Sequence, residues 1–89
     1  MNQIRLEIQN IKGLHARASA KLVEVVESFD AEAVVSKDGE RTSGDSIMGL
    51  LMLAASIGTF IEVETSGPQA QELAAAIENL VADKFGEGD

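Results

Sequence analysis

Three stretches of the chain predict strands with one buried face, two of them because apolar and polar residues alternate with a period of two and the other because it centres on adjacent valines. The first stretch is residues 2–8, the second is residues 32–37 around Val34 and Val35, and the third is residues 60–65. Each has one apolar face only. We therefore expect an open sheet that is covered on a single side, which is typical of antiparallel strands.

A fourth strand is expected beside the second one. Asp38-Gly39 is a strong signal for a two-residue hairpin, because both positions of that turn need a positive φ angle. Residues 40–43 would then form a short polar strand. Its length and charge are typical of a sheet edge, where they discourage pairing with other chains.

Two segments have apolar residues every three or four positions and predict amphipathic helices. The first runs from Ala16 for about three turns, with Arg17, Lys21, Glu24 and Glu27 on its polar side. The last helix begins after Ser66-Gly67, with Pro68 in its first turn. The expected core stripes are Ala18, Leu22, Val25, Val26 and Phe29 in the first helix, and Ala70, Leu73, Ala74, Ile77, Leu80 and Val81 in the last.

Residues 47–55 form a third helical segment, and Ser46 is suited to cap its N-terminus. This segment is apolar on all sides. The residues expected to face the core are Leu50, Leu53, Ala54 and Ile57, which leaves a second apolar face of Ile47, Met48, Leu51 and Met52. Either the helix is fully buried, or the second face is a docking patch to which methionine lends adaptability.

The predicted order of elements is β-α-β-β-α-β-α within one domain of residues 1–89. We expect an α+β fold, an open-faced two-layer β-sandwich with a four-stranded antiparallel sheet covered on one face by three helices. Residues 86–89 are acidic and rich in glycine, and they predict a flexible tail.

Composition and charge exclude several classes of function. The net charge of −8 argues against nucleic-acid partners, which require a basic surface. The chain has no cysteine and one histidine, so thiol chemistry and histidine-rich metal sites are excluded, and we expect neither a metal nor a cofactor. The polar start of the chain is unlike a signal peptide or a membrane span, so we expect a cytoplasmic protein without membrane insertion.

One window of the acidic chain is positive, and it contains the single histidine. Lys12, Arg17 and Lys21 cluster where no acid occurs between Glu7 and Glu24. His15 lies at the predicted start of a helix, where free amides attract anions and phosphate above all. A neutral imidazole is a nucleophile that can carry a covalent group, and the guanidinium of Arg17 suits phosphate oxygens. These residues indicate either a phosphoryl acceptor or a small anion-binding or protein-docking module without covalent chemistry.

Two motifs resemble those of a known family. Gly13-Leu14-His15-Ala16-Arg17 resembles the active-site signature of HPr, the phosphocarrier of the bacterial phosphoenolpyruvate-dependent phosphotransferase system. Residues 45–50 resemble the second HPr signature, around its regulatory serine. The resemblance implies that His15 accepts a phosphoryl group at Nδ1 from enzyme I and donates it to an enzyme IIA-type acceptor. Arg17 would stabilise the phosphoryl charge, in a carrier rather than an independent catalyst.

The resemblance also implies partners and regulation. The patch of Ile47, Met48, Leu51 and Met52 would dock partners beside His15, and we expect Lys12 and Lys21 to contact them too. Ser46 would be a site of regulatory phosphorylation, with a serine kinase or phosphorylase as a further partner. A shuttle that exposes His15 to several proteins is expected to be a monomer.

The chain departs from the HPr pattern at two neighbouring positions. Ala18 stands where the family usually has proline, which predicts a more mobile helix start. The next residue, Ser19, could add a hydroxyl near the helix start, but we expect it to face solvent. Four segments resemble the nitrogen-related paralogue NPr, which leaves a regulatory phosphorelay open as an alternative to sugar uptake. They are residues 29–32, 50–53, 61–64 and 66–69.

Overall fold

The structure, a computed structural model, describes residues 2–87 and is built on one sheet. Its strands are β1 (Asn2–Glu7), β2 (Glu32–Lys37), β3 (Glu40–Ser43) and β4 (Phe60–Ser66). They lie in the order β1-β4-β2-β3, and every neighbouring pair is antiparallel. The sequence patterns therefore predicted all four strands, with β3 inferred from the Asp38-Gly39 turn before it, and the shortest strand lies at an edge of the sheet.

The hairpin between β2 and β3 forms as its sequence requires. Asp38 has a φ of 53° and Gly39 a φ of 85°, so both residues of the turn are left-handed. This geometry matches the right-handed twist of the flanking strands and brings Lys37 opposite Glu40. The turn thereby sets the register of the whole β2–β3 pair.

Three helices cover one face of the sheet. They are α1 (Ala16–Glu27), α2 (Ile47–Met52) and α3 (Ala70–Ala82), and a short 3-10 helix follows at Lys84–Gly86. α3 packs on β1 and β4, and α1 packs against both other helices. The predicted order of elements and the open-faced α+β sandwich are thus confirmed, with the 3-10 helix as an addition.

The core lies between the helices and the inner face of the sheet. Val35, Ile61 and Val63 enter it from the strands, and Leu22, Leu73 and Ile77 enter it from the helices, all fully buried. In α1, the buried stripe is Ala18, Ser19, Leu22, Val23 and Val26, whereas Val25 is only partly buried; Phe29, also partly buried, lies beyond the end of the helix at Glu27. The predicted stripe of α1 was therefore rotated slightly from the true one.

α2 is shorter than the pattern suggested, since it ends at Met52 rather than at residue 55. Ala54 has a left-handed φ of 52°, which turns the chain out of the helix. Ala54 is therefore exposed, and the side chain of Ile57 is 51% exposed, so the prediction that these two residues face the core was wrong. Leu50 and Leu53 are buried as expected.

Pro68 lies before α3 rather than in its first turn. The N–H of Ala70 donates to the carbonyl of Gly67 at 3.2 Å, so Pro68 occupies the second position of a turn that leads into the helix. The fixed φ of proline suits that position as well as it suits a helix start, which is why the sequence favoured either. Within residues 2–87, no helix has the length and apolar character needed to cross a membrane.

Candidate functional site

His15 is the N-cap residue of α1. Its backbone is extended (φ −78°, ψ −175°), and its carbonyl accepts the N–H of Ser19 at 2.8 Å. Its Nδ1 accepts the N–H of Arg17 at 3.3 Å, as a serine or aspartate cap would do with an oxygen. The structure thus places the imidazole directly at a helix N-terminus, with Nδ1 turned toward the first turn of the helix.

The first turn of α1 offers backbone donors beside Nδ1. By helix geometry, the amides of Ala16, Arg17 and Ala18 have no acceptor inside the helix. Together with the helix dipole they favour a negative charge at this end. Ala18 contributes an N–H that the proline usual in the family lacks, so this helix start has one more donor than the pattern implies.

The loop that carries His15 is held by backbone contacts, and these explain its glycine. Gly13 has a left-handed φ of 64°, and a Cβ added to it would lie 2.4 Å from the carbonyl oxygen of Ala55. The next residue, Leu14, donates its N–H to that same oxygen at 2.8 Å. Asn10 is fully buried, and its Nδ2 donates to the carbonyl of Gly13 at 2.7 Å. The histidine therefore follows a loop with little freedom.

Ser19 supports the loop from within the helix. Its side chain is fully buried, and its Oγ donates to the carbonyl of Leu14 at 3.2 Å. The prediction that Ser19 faces solvent was wrong, because this hydroxyl has an acceptor inside the protein that residue periodicity cannot reveal. The side chain ties the start of α1 to the residue just before His15.

An acid reaches His15 from the far end of the chain. Glu87 Oε2 contacts His15 Nε2, and Glu87 Oε1 accepts Asn10 Nδ2 at 3.0 Å. The acid-free window around His15 in the sequence is therefore not acid-free in space. Of the tail predicted for residues 86–89, Gly86 and Glu87 lie against the site in the structure, and Gly88 and Asp89 lie outside the described residues.

The surroundings of Glu87 favour its ionised form. The hydrogen bonds from Asn10 and from His15, with the charges of His15 and Lys12, lower the pKa of the Glu87 carboxyl below its ordinary value, although burial acts in the opposite direction. Glu87 is consequently a carboxylate at neutral pH, and a carboxylate only accepts hydrogen bonds.

Strained backbone and a buried anchor bring Glu87 to the site. Lys84, Phe85 and Gly86 have consecutive left-handed φ angles of 54°, 55° and 74°. Such strain in non-glycine residues costs about 1–3 kcal/mol each and persists only where other contacts impose it. Here Phe85 is fully buried in the core, and Lys21 Nζ donates to its carbonyl at 2.6 Å.

Phe85 was the signal in the sequence that could have revealed this segment. A large aromatic residue four positions before the last one is unusual in a flexible acidic tail, because it has apolar surface to bury. The ammonium of Lys21 donates to this segment, and its expected contact with partners stays a prediction. We call Lys84–Glu87 the C-terminal hook.

Arg17 is exposed at the mouth of the site. The structure records no ion pair or side-chain hydrogen bond for it among residues 2–87, so its guanidinium can turn to an incoming anion. A surface depression brings the sequence-predicted residues together with the hook; its lining is Lys12, His15, Ala16, Arg17, Gly86 and Glu87. None of the apolar residues of α2 lines it.

α2 packs beside α1 and carries the apolar face of Ile47, Met48, Leu51 and Met52. Met48 and Met52 are 68% and 73% exposed, Ile47 is also exposed and Leu51 is partly buried. The alternative of a fully buried helix is therefore wrong. Ser46 caps α2 as predicted, with its Oγ accepting the N–H of Gly49 at 3.1 Å.

Similarity to known proteins agrees with this fold and site. A family model described as "PTS HPr component phosphorylation site" matches residues 2–83. The phosphocarrier protein HPr of Neisseria meningitidis serogroup A is 48% identical over 84 residues, with 94% of each chain covered. The phosphocarrier protein NPr of Escherichia coli is 42% identical over 83 residues, with 92% of each chain covered.

Solved structures repeat the fold. The crystal structure of HPr-C-His from Thermoanaerobacter tengcongensis superposes with a TM-score of 0.93 at 34% identity and 98% coverage of both chains. A crystal structure of an HPr dimer from the same organism gives a TM-score of 0.77, also at 34% identity, covering 98% of this chain and all of that one.

The open-faced sandwich with a histidine at a helix start defines a small phosphoryl carrier, and this chain belongs to the HPr family. It is an HPr/NPr-type phosphocarrier of the phosphotransferase system, as the two motifs implied. Membership of this family implies exchange with enzyme I and with enzyme II-type partners. The alternative of an anion-binding module without covalent chemistry is thereby disfavoured.

Proposed function

We propose that His15 carries the phosphoryl group of this phosphocarrier on Nδ1. The observation that supports this assignment is the difference between the two ring nitrogens. Nε2 is covered by the Glu87 carboxylate, whereas Nδ1 faces the start of α1 and an amide N–H at 3.3 Å. A phosphoryl group on Nδ1 would therefore lie against backbone donors and away from the carboxylate.

Arg17 and the helix start stabilise the phosphoryl group in this proposal. The oxygens of the group accept hydrogen bonds from the first amides of α1, which are fixed in place before the reaction. The exposed guanidinium of Arg17 adds a charged fork that can follow the group as it moves to a partner. Enzyme I supplies the phosphoryl group, and an enzyme IIA-type protein receives it.

Intact-protein mass spectrometry tests the assignment of His15. The protein is incubated with enzyme I, magnesium and phosphoenolpyruvate, and a duplicate is treated briefly with acid. We expect one added phosphoryl group that acid removes and that His15→Ala does not acquire, although its thermal unfolding matches that of the parent. Loading of His15→Ala by enzyme I would refute His15 as the acceptor.

We further propose that the apolar face of α2 docks the partners. Exposed methionine side chains adapt to differently shaped surfaces, and α2 packs beside the helix that His15 begins. Met48→Asp should slow loading by enzyme I although the nucleophile remains. Gln71→Asp, an exposed change on α3, is the control for added charge. Equal rates for both variants would exclude the patch as the docking surface.

Ser46 is proposed as a regulatory site within this surface. A phosphate on Ser46 would add about two negative charges to the start of α2, next to exposed Ile47 and Met48. Those charges would have to be desolvated in an apolar interface, so docking would weaken. A serine kinase or phosphorylase acting on Ser46 is the corresponding partner.

We also propose an oligomeric state for the carrier and a way to identify the branch of the phosphotransferase system in which it works. The protein works as a cytoplasmic monomer, and its mass by light scattering tests that state. Sugar uptake and the nitrogen-related phosphorelay are distinguished by the loading rates with the enzyme I of each branch. The faster donor identifies the branch, and the acceptor loaded faster by the phosphorylated carrier must belong to the same one.

A further inference from the structure

We propose that Glu87 is a positioning residue for phosphoryl transfer: it keeps the proton of His15 on Nε2, so that Nδ1 presents its lone pair and later leaves as part of a neutral ring. The inference rests on the proposed role of His15 and adds a residue to it. The contacts of three side chains carry the argument.

Both contacts of the imidazole select the same tautomer. A carboxylate only accepts hydrogen bonds, so the contact between Glu87 Oε2 and His15 Nε2 requires a hydrogen on Nε2. The N–H of Arg17 only donates, so its contact with Nδ1 requires a lone pair there. The neutral ring therefore carries its single hydrogen on Nε2, and the nucleophilic atom is Nδ1.

Asn10 fixes the carboxylate in this role. Its Nδ2 donates both to the carbonyl of Gly13 at 2.7 Å and to Glu87 Oε1 at 3.0 Å. The other atom of the amide, Oδ1, is buried without a hydrogen-bond partner among the described residues. If the amide were turned over, Oδ1 would face two acceptor oxygens and could not bond to either, so the orientation of the amide is fixed. Oδ1 is left without a partner because Nδ2 makes both of these hydrogen bonds.

The C-terminal hook keeps Glu87 within reach. Phe85 is fully buried, and Lys21 Nζ holds its carbonyl at 2.6 Å, which maintains the left-handed backbone of the hook. Backbone strain that surrounding contacts impose is common at functional sites. Glu87 is thus held beside His15 by a segment whose position is fixed by Phe85 and Lys21.

The chemistry of both transfers uses this proton without moving it. In loading, the Nδ1 lone pair forms the bond to phosphorus while the bond to the donor group of enzyme I breaks, with its electron pair staying on the donor. His15 becomes a phosphorylated imidazolium with its hydrogen on Nε2, paired with the Glu87 carboxylate. In unloading, a nucleophilic side chain of the acceptor forms the new bond to phosphorus while the N–P bond breaks, the electron pair of that bond returns to Nδ1, and the ring leaves neutral.

The carboxylate matters because the alternative leaving group is poor. If Nε2 lost its hydrogen while the phosphoryl group was attached, the ring would have to leave as an imidazolate anion. A carboxylate that accepts the hydrogen stabilises the imidazolium, as the buried aspartate does for the histidine of a catalytic triad. Glu87 thereby affects both loading and unloading although it does not touch the phosphoryl group.

Glu87→Gln gives a sharp test, because Asn10 decides how the new amide points. Asn10 Nδ2 needs an acceptor, so the glutamine oxygen faces it and the glutamine NH₂ faces His15. That group donates to Nε2 and moves the ring hydrogen to Nδ1. Glu87→Ala removes the contact without imposing a tautomer, and Glu78→Gln, at an exposed position of α3, is the charge-matched control.

The tautomer is read from ¹⁵N chemical shifts of labelled His15 at a pH where the ring is neutral. We expect the hydrogen on Nε2 in the parent and in Glu78→Gln, on Nδ1 in Glu87→Gln, and a mixture in Glu87→Ala. Loading by enzyme I should be slower by about tenfold or more in Glu87→Gln, because the wrong tautomer has no lone pair on Nδ1.

Two results would overturn the inference: a parent tautomer that persists in both Glu87 variants, or an altered tautomer with unchanged transfer rates. The tautomer measurement needs no phosphoryl group. A parent protein that fails to become phosphorylated would therefore refute the proposed function of His15, and it could not be mistaken for a failure of the role of Glu87.

Discussion

Gly13 lies directly against the backbone of Ala55, and a Cβ on Gly13 would stand 2.4 Å from the Ala55 carbonyl oxygen. That oxygen also accepts the N–H of Leu14, the residue before His15. The loop that precedes the histidine and the chain that follows α2 are therefore joined at one point. The glycine of the first motif is required by this close approach as much as by its positive φ.

Gly13→Ala should destabilise the protein and disturb the site. The added methyl group meets backbone atoms, which cannot move aside as a side chain can, and overpacking of this kind costs about 1–3 kcal/mol. Gly58→Ala is the matched control, because Gly58 has a φ of 85° but nothing within 4 Å of the added Cβ. Urea denaturation should show a clearly larger loss for Gly13→Ala, and only that variant should load slowly with enzyme I.

Ser19→Ala should lower the free energy of unfolding by about 1–2 kcal/mol, since it leaves a buried carbonyl without its donor. Ser28→Ala removes a similar hydrogen bond, from Ser28 Oγ to Val25 O at 2.7 Å, at an exposed position and should change stability little. Chemical denaturation of Ser19→Ala and Ser28→Ala separates the effect of burial from the effect of losing a hydrogen bond. Equal losses would mean that the buried contact to Leu14 adds nothing.

The stability contributed by Glu87 should depend on pH in a defined direction. Because the pKa of Glu87 is lower in the folded protein than its ordinary value of 4.5, the carboxylate stabilises the fold above that pH. The contribution is lost as the pH falls through the folded pKa. The partners of the carboxylate are Asn10, His15 and Lys12.

Urea midpoints of the parent and of Glu87→Gln, compared from neutral to acidic pH, measure this contribution. The parent should be the more stable protein at neutral pH, and the difference should disappear in acid, where the glutamate is neutral like the glutamine. Glu78→Gln, at an exposed position of α3, is the charge-matched control. A difference that grows toward acidic pH would contradict the sign of the shift.

Variants of Ser46 separate its structural and regulatory roles. Ser46→Ala removes the N-cap oxygen that accepts Gly49 N–H and should cost about 1 kcal/mol of stability. Ser46→Asp keeps a cap but adds charge beside Met48, so it should remain stable while loading by enzyme I slows. Gln3→Glu adds the same charge at an exposed residue of β1, away from the helices. If Ser46→Asp and Gln3→Glu load equally fast, charge at Ser46 does not regulate this step.

Local patterns predicted most of the fold because they reflect local physics. The alternation in β1 and β4, the Asp38-Gly39 turn and the cap at Ser46 each depend on residues close together in the chain. The sequence predicted Pro68 in the first turn of α3, whereas it lies in the turn before that helix, because the fixed φ of proline suits both a turn and a helix start. The left-handed backbone of Ala54 could not be predicted from the sequence, since alanine is typical of helix interiors.

The part of the site that sequence reasoning missed depends on contacts across the chain. His15 and Arg17 were found because the helix start is local. Glu87 lies 72 positions from His15, and no periodicity connects them. The contact depends on the hook around Phe85, whose backbone angles are imposed by the core and by Lys21. The sequence window without acids was accurate as a statement about neighbours in the chain, but not about neighbours in space.

The central claim, that Nδ1 of His15 carries the phosphoryl group while Glu87 keeps the proton on Nε2, is tested most directly on the loaded protein. The protein is labelled with ¹⁵N in its histidine and phosphorylated by enzyme I, and ¹⁵N–³¹P coupling then identifies the ring nitrogen bonded to phosphorus. We predict coupling to Nδ1, with Nε2 bound to hydrogen. Coupling to Nε2 would contradict the account, because phosphorus would then occupy the position that the structure gives to Glu87.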